Sequence, residues 1–416
     1  MSAWQVRQMI EKSGIEEWGA GYFSINRSGH VTASPNGNPN ESISLPEIIE
    51  KSKSLNIETP MIIRFPQIIR QQLKRMQQAF HSAIAEFSYT GSYHGVFPFK
   101  VNQRREFIDG IISCGKDLSW GLEVGSKTEF VAALSYPMGK DALLICNGFK
   151  DSEFIDLAFT AQGMGKKVIC VVEGPEELQL ICDALSRHRQ EHCPLIGLRV
   201  KLSSKGSGKW EKSSGASSKF GLTTVEVMNA LGILKENGLE DKLQMLHFHI
   251  GSQITDIKRF KNALREAARV YAKVNKMDFS PLYLNIGGGV GVDYDGSQTS
   301  AQSSANYSLQ EFANDAIYVI GDVCKHENVR PPNVITESGR VIAAYHSIVI
   351  SDIREVQGEE KLDKAEEISK KVPSKDIHKY VTELKYIKEN INSKNFVEYY
   401  HDAVEFHDDL FTLFNL

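Results

Sequence analysis

Tyr93-His94-Gly95-Val96-Phe97-Pro98-Phe99-Lys100-Val101-Asn102 is a β-branched and aromatic run that leads into a lysine. Read as a barrel strand, it aims the Lys100 amine into a pocket. The rest of the chain carries that reading outward. From about residue 95, short β-like runs alternate with amphipathic helical stretches, the pattern of a parallel sheet with helices outside it. Eight strand candidates follow one another, at 95–101, 120–124, 142–146, 167–172, 194–200, 243–250, 281–286 and 332–337. The intervals have helical periodicity, as in Phe130 and Leu134, or Val225, Met228, Leu231 and Leu234. Eight such units predict an α/β chain folded as a TIM-like (β/α)8 barrel.

Two regions fall outside this repeat. Residues 1–59 hold a β-like piece, Gly21-Tyr22-Phe23-Ser24-Ile25, and a Gly, Asn and Pro-rich turn region from Pro35 to Pro39, so they read as the N-terminal β segment of a separate sheet module. A further strand from Met61 to Phe65 and a helix after Pro66 lead into the barrel, assigned to 60–355. Beyond it, over 356–416, Val381, Leu384 and Ile387 mark one charged helix, and Val397, Tyr400, Val404, Phe411 and Phe414 mark another. These predict a helical extension of bundle type. Its apolar end, Leu410-Phe411-Thr412-Leu413-Phe414-Asn415-Leu416, has no capping residue, so a helical segment cut short is expected.

Composition removes several function classes. At 416 residues the chain buries a full core without difficulty. Its apolar share of 41%, charged share of 24% and formal net charge of -4 are ordinary for a soluble globular protein and give no broad electrostatic reason to bind nucleic acid. Cys114, Cys146, Cys170, Cys182, Cys193 and Cys324 are scattered without a CxxC pair, which predicts reduced thiols and a reducing compartment. The start, Met1-Ser2-Ala3-Trp4-Gln5-Val6-Arg7, lacks a charged beginning followed by an apolar stretch, and no apolar run is long enough to cross a bilayer. A cytoplasmic location and no membrane partner are expected.

The C-terminal ends of barrel strands carry chemistry because eight loops converge there on a rigid ring. Lys100, Glu123, Asn147, Arg199, His249, Gly287 and Glu337 all fall at or just beyond such ends. A lysine ending a strand is ordinarily solvated. Here Val96, Phe97 and Val101 are expected to disfavour its charged form, lowering its pKa and freeing a Schiff-base nucleophile. His247 and His249 alternate with Leu246, Phe248 and Ile250, so both imidazoles share one strand face. A lone histidine there is usually a satisfied core residue. With Gly251-Ser252 following, ring stacking by His249 and a phosphate contact by Ser252 are the expectation.

Gly287-Gly288-Gly289 reads either as a flexible turn or as consecutive amides closing on a phosphate. It is not a dinucleotide fingerprint, because Val292 and Tyr294 occupy positions that would need glycine. Gly206-Ser207-Gly208-Lys209-Trp210 likewise fails the Walker pattern. Glu337 and Arg340 frame a tight turn, either as a surface ion pair or as a carboxylate for a pyridine nitrogen and a guanidinium for phosphate. Glu123 and Arg199 would face the ring and its phenolic oxygen, with a structural ion pair as the alternative. In order, these groups are what an enclosed pyridoxal phosphate requires.

Pro98-Phe99-Lys100-Val101-Asn102-Gln103, Glu123-Val124-Gly125-Ser126-Lys127, Phe248-His249-Ile250-Gly251-Ser252-Gln253 and Glu337-Ser338-Gly339-Arg340 resemble the biosynthetic arginine decarboxylase family. So do Trp18-Gly19-Ala20-Gly21-Tyr22-Phe23, Ile145-Cys146-Asn147-Gly148-Phe149-Lys150-Asp151, the loop Gly206 to Trp210 with Ser218-Lys219-Phe220-Gly221-Leu222, and Tyr399-Tyr400-His401-Asp402-Ala403. The resemblance runs nearly end to end. It implies a fold type III pyridoxal 5'-phosphate enzyme, similar to ornithine and diaminopimelate decarboxylases and alanine racemase. That group combines a barrel with a C-terminal β domain, in dimers or higher homo-oligomers with shared active sites. By the resemblance, Lys100 is the lysine that carries the cofactor and His249 stacks on its ring. Ser252, Gly287, Gly288, Gly289 and Arg340 bind its phosphate, Gly339 belongs to the cofactor-binding set, and Glu337 pairs with the ring nitrogen. The carboxylate at 337 favours a decarboxylase, since racemases of this fold place arginine there.

The implied activity is decarboxylation of L-arginine to agmatine and CO2 in polyamine biosynthesis, with pyridoxal 5'-phosphate as cofactor and Mg2+ added on the resemblance alone. Nothing after Arg354 matches the family's second domain, which carries a Cys-Asp pair and substrate-binding acids. A catalytically incomplete cofactor-binding remnant or regulatory partner is therefore the second expectation. A decarboxylase acting on ornithine, lysine or diaminopimelate is the third.

Overall fold

Residues 2–203, 220–355, 375–392 and 395–414 are described by the computed structural model of the chain. The Gly206 to Trp210 loop, Ser218 and Lys219 lie outside the described residues, as do the side chains of Val381, Leu410, Phe411 and Phe414. By its internal contacts the chain forms two units.

The smaller unit comprises Met1–Arg64, Asp293–Ser304 and Ser347–Leu416. Its first helix, Ala3–Ser13, starts at a capping box in which the Ser2 hydroxyl accepts from the Gln5 amide, and it stops at Gly14 in the left-handed region. Strands β1 (Phe23–Ile25), β2 (Val31–Ala33) and β3 (Ile43–Ser44) form an antiparallel sheet. Strand β4 (Met61–Arg64) pairs antiparallel with Ser347–Ile350. Two helices, Lys375–Asn390 and Phe396–Phe414, meet through Tyr380 and Phe406, whose ring centroids are 5.0 Å apart. The boundaries expected at 59/60 and 355/356 fall, by the contacts, at 64/65 and 346/347, and 293–304 also joins this unit. The cause is local: Asp295 Oδ2 is 2.7 Å from His401 Nε2, and Gly296 packs so closely on Glu17 that a Cβ there would come within 2.5 Å of it.

The larger unit, Phe65–Val292 with Ala305–His346, is the barrel. Its strands are β5 (Tyr93–Pro98), β6 (Gly121–Val124), β7 (Leu143–Cys146), β8 (Lys167–Val172), β9 (Leu195–Arg199), β10 (Leu243–His247), β11 (Tyr283–Asn285) and β12 (Asn333–Glu337). All pair in parallel with their neighbours, and β12 closes on β5 through Val334 to Tyr93 and Glu337 to Val96. These runs are apolar on both faces because each strand is covered twice. Leu122, Leu144, Val168, Leu198, Leu246 and Val334 pack outward against the helices, while Val96, Leu143, Ile145, Ile169, Val171, Met245, Tyr283 and Ile335 fill the interior.

Helices alternate with the strands, and polar caps fix several starts: Ser126 for Lys127–Leu134, Asp151 for Ser152–Gly163, Thr223 for Thr224–Glu236 and Ser308 for Leu309–Glu327. One expected stripe is corrected. In Thr224–Glu236 the inward face is Val227, Ala230, Leu231 and Leu234, and Val225 and Met228 are exposed. Among the described residues all six cysteines are free and no helix is long and apolar enough to cross a membrane.

Candidate functional site

Alternation carries each inward row of side chains up to the C-terminal rim, where its chemistry changes. Ile145 is followed two residues later by Asn147, Val171 by Glu173, Gly197 by Arg199, Met245 by His247, Tyr283 by Asn285 and Ile335 by Glu337. Glu123 ends the inward row of β6. Asn147, Glu173, His247, Asn285, Glu123 and Glu337 are all buried.

Lys100 stands in a single 3-10 turn, Phe99–Val101, just past the end of β5 at Pro98, and not within the strand. Its Nζ donates to both carboxylate oxygens of Glu123 at 3.0 Å. The expected lowering of its pKa is corrected. Burial does push that way, but the Glu123 and then the Glu337 carboxylates outweigh it and raise the Lys100 pKa above the usual range. Glu123 is itself pushed up to about 7, chiefly by burial, with Lys100 pulling down and Glu337 pushing further up.

Asn147 joins the two acids. Its Nδ2 donates to Glu123 Oε1 at 3.1 Å and to Glu337 Oε1 at 2.9 Å. Asn285 Nδ2 reaches the same Glu337 oxygen at 2.8 Å, and His247 Nε2 lies 3.6 Å from it. Burial, followed by the nearby Arg199 charge, holds His247 well below the usual histidine range and pushes His249 down to about 3. Both imidazoles are neutral near pH 7. The Gly288 amide donates to His249 Nδ1 at 3.3 Å, which requires that nitrogen to be unprotonated and places the ring proton on Nε2.

Arg199 Nη1 pairs with Glu173 Oε2 at 2.9 Å, and its guanidinium lies 5.3 Å from the centre of the Phe220 ring. Its partner is thus a carboxylate from the neighbouring strand. Arg340 Nη2 donates to Ser252 Oγ at 3.1 Å. Between these groups runs the Gly-rich segment. A Cβ at Gly287, Gly288 or Gly289 would come within 2.5, 2.4 or 2.3 Å of a backbone oxygen, and Gly287 and Gly289 have φ of +69 and +95 degrees. Only glycine lets the three strand ends approach so closely. Of the three amides, Gly287 donates to Asn285 Oδ1 at 2.9 Å and Gly288 to His249. Gly339 lacks a side chain where a Cβ would meet Val101 at 2.4 Å.

The structure therefore links Lys100, Glu123, Asn147 and Glu337 in one hydrogen-bonded chain, places Gly287 to Gly289 against Glu337 and His249, and joins Ser252 to Arg340. Glu173 and Asn285 were not singled out from sequence, although counting two residues on from Val171 and Tyr283 finds both. Among the described residues, the buried Asn147 Oδ1 and both His247 nitrogens have no hydrogen-bond partner. Polar atoms in this state are satisfied by ordered water or by a bound group. Together with the Lys100 side chain, its paired Glu123 carboxylate and a Cβ-free backbone beside Arg340, they fit a planar phosphorylated aldehyde such as pyridoxal 5'-phosphate. Among the described residues no group of three or more His, Cys, Asp or Glu side chains is placed to hold a metal ion.

Comparison with known proteins gives two family matches. Residues 67–344 match the pyridoxal-dependent decarboxylase, pyridoxal binding domain, and residues 374–416 match the arginine decarboxylase helical bundle domain. The biosynthetic arginine decarboxylase of Bacteroides thetaiotaomicron is 40% identical over 416 residues, covering 100% of this chain and 65% of that protein. That of Deinococcus radiodurans is 41% identical over 404 residues, covering 97% of this chain and 60% of the relative. This chain thus spans less than two thirds of the length of either curated relative. The crystal structure of the Campylobacter jejuni biosynthetic arginine decarboxylase superposes with a TM-score of 0.75 at 33% identity, covering 97% of this chain and 65% of that one. Diaminopimelate decarboxylase from M. jannaschii shares the fold, with a TM-score of 0.62 at 21% identity over 81% of this chain and 72% of its own.

Proposed function

This chain belongs to the pyridoxal-dependent decarboxylase family, and from that premise we propose that its barrel mouth decarboxylates L-arginine to agmatine and CO2, a step of polyamine biosynthesis. The observation that carries the reaction type is the carboxylate of Glu337, fixed by two asparagine amides and tied through Asn147 to the Glu123–Lys100 pair. When bound, pyridoxal 5'-phosphate supplies a protonated pyridine ring that takes up the electron pair released as the substrate carboxylate leaves as CO2.

The residues divide that work. Lys100 would carry the cofactor, and Glu123, whose carboxyl is pushed up to about 7 and which lies 3.0 Å from Lys100 Nζ, would accept the proton that the Lys100 ammonium must lose before it can act as a nucleophile. Glu337 would hold the proton on the ring nitrogen; Asn147 and Asn285 keep its carboxylate in place. Neutral His249 would stack on the ring without adding a charge that competes with it. Ser252 and Arg340 would hold the phosphate, with Gly287, Gly288 and Gly289 leaving room for it although the Gly287 and Gly288 amides are already taken by Asn285 and His249, and Gly339 would keep the backbone beside it free of a side chain. Arg199 answers to Glu173 and acts on the site through its field on the two histidines. The apolar layer of Ile145, Val171, Met245, Tyr283 and Ile335 shuts water out from below.

Support for arginine as the substrate is the similarity to the curated arginine decarboxylases along the full chain and the match to their helical bundle domain. Its test is CO2 release by the purified, cofactor-loaded protein from carboxyl-labelled arginine, ornithine, lysine and diaminopimelate. Release from arginine well above the others is expected. Faster release from another amino acid overturns the substrate, and cofactor binding without release from any of them overturns the activity.

A further inference from the structure

The loop after β7, from Asn147 to Asp151, reverses the usual partition of side chains. Phe149 is 80% exposed, whereas Lys150 next to it is fully buried. Lys150 Nζ lies 3.0 Å from Glu177 Oε2 and donates to the Gly148 carbonyl at 2.6 Å, with side-chain exposures of 1% for Lys150 and 4% for Glu177. Glu177 also accepts from the main-chain amides of Lys150 at 3.1 Å and Glu173 at 2.9 Å. Glu173 in turn accepts from the Gly148 amide and from Arg199 Nη1, each at 2.9 Å. The backbone at Gly148 is thus gripped on both sides, its N–H by Glu173 and its C=O by Lys150.

Two charges taken out of water return little net stability compared with an apolar pair of the same shape. A need for exact placement at the neighbouring residue accounts for them better. Gly148 has φ +75 degrees, and a Cβ there would stand 2.5 Å from the Gly125 carbonyl oxygen, so this backbone has no slack against the loop after β6. Asn147 immediately precedes it and must reach from β7 to acids on β6 and β12 with a single amide nitrogen. A small shift of its backbone breaks one of those two bonds.

We infer that Lys150 and Glu177 are positioning residues: their buried ion pair sets the Gly148 backbone so that Asn147 bridges Glu123 and Glu337 and Glu173 holds Arg199. This deepens the proposed function, resting on it only in taking the Asn147 bridge as a wall of the cofactor pocket. Lys150 and Glu177 touch neither cofactor nor substrate and act through Asn147.

The test uses Lys150→Met/Glu177→Gln, which removes both charges while keeping an oxygen for one of the two backbone amides, in the native and the Asn147→Ala backgrounds. Should that pair fail to fold, Lys150→Met alone, which leaves the Glu177 carboxylate on both backbone amides, takes its place. Two readouts are needed: the dissociation constant for pyridoxal 5'-phosphate from its absorbance, and a crystal structure of the cofactor-free variant. The expected loss of cofactor affinity is about tenfold, the scale of a lost charge-assisted hydrogen bond, in the native background and absent in Asn147→Ala. In the crystal, Asn147 should have left at least one of its two acids. An equal loss in both backgrounds, no loss in the native one, or an Asn147 still bonded to Glu123 and Glu337 overturns the inference. Neither readout uses arginine, so failure of the substrate reading leaves both intact. A native protein that does not bind the cofactor counts against the proposed function, and the crystal then decides the clamp by itself.

Discussion

The floor and the mouth of the barrel are built by the same strands, two residues apart, yet they obey opposite rules. In the floor Val96, Leu143, Ile145, Ile169, Val171, Met245, Tyr283 and Ile335 pack as an apolar plug. One inward step higher, the buried Asn147, Glu173, His247, Asn285 and Glu337 and the half-buried Arg199 replace them with polar groups, some of them without partners among the described residues. The lower layer gains stability from burial, while the upper one gives stability up by desolvating charges. Polarity placed at the top of a rigid plug is what a site needs to hold groups still before a ligand arrives.

That contrast can be broken at several depths. Lys100→Ala is expected to have the largest effect, complete loss of the cofactor's visible absorption, with thermal stability little changed; retention of the band would remove Lys100 from its role. Glu337→Gln should come next. It keeps the shape and the cofactor but lowers CO2 release by about 10²–10³-fold, the scale of one misplaced electrostatic group in an active site; a loss under tenfold would show that the ring does not depend on this carboxylate. Ile335→Ala, two residues below on the same strand, reverses the pattern. It should cost about 2–5 kcal/mol in denaturant unfolding as a core truncation, with the absorption per folded molecule unchanged.

The last effect expected is on pH dependence. His249, held at about 3 by burial and then by Arg199, has a folded pKa below its unfolded value near 6.5. Between those values the unfolded chain binds the extra proton, so stability rises with pH across that window and is lost as pH falls from about 6.5 toward 3. His249→Gln should flatten this acid limb in urea titrations at a series of pH values. An identical slope in both proteins would show that His249 is not held neutral.

Much of the barrel was legible because strands covered on both faces read as apolar runs, and all eight expected runs coincide with barrel strands. Their ends were less so. The run expected over 243–250 leaves the ladder at His247, and the one over 95–101 at Pro98, because alternation continues past the last paired residue and period alone cannot mark the stop. Val225 and Met228 read as buried because they keep helical spacing, but that spacing does not say which side of the helix the strands will occupy.

Polar partners were the least legible. The sign of the Lys100 shift depends on Glu123, 23 residues on, and on Glu337 from the last strand, while the residues adjacent to Lys100 suggest the opposite. Arg199 finds Glu173 across 26 residues, and Lys150 goes inside while Phe149 goes out, against the polarity of both. Each is a consequence of barrel closure, which local pattern does not carry. Asn285 is the exception, since continuing the inward row from Tyr283 reaches it directly.

The most direct measurement is borohydride reduction of the purified protein loaded with pyridoxal 5'-phosphate, followed by peptide mapping by mass spectrometry. A pyridoxyl adduct on the peptide containing Lys100, and on no other lysine, is the predicted result. An adduct on a different lysine, or none at all in a protein that binds the cofactor, would contradict it.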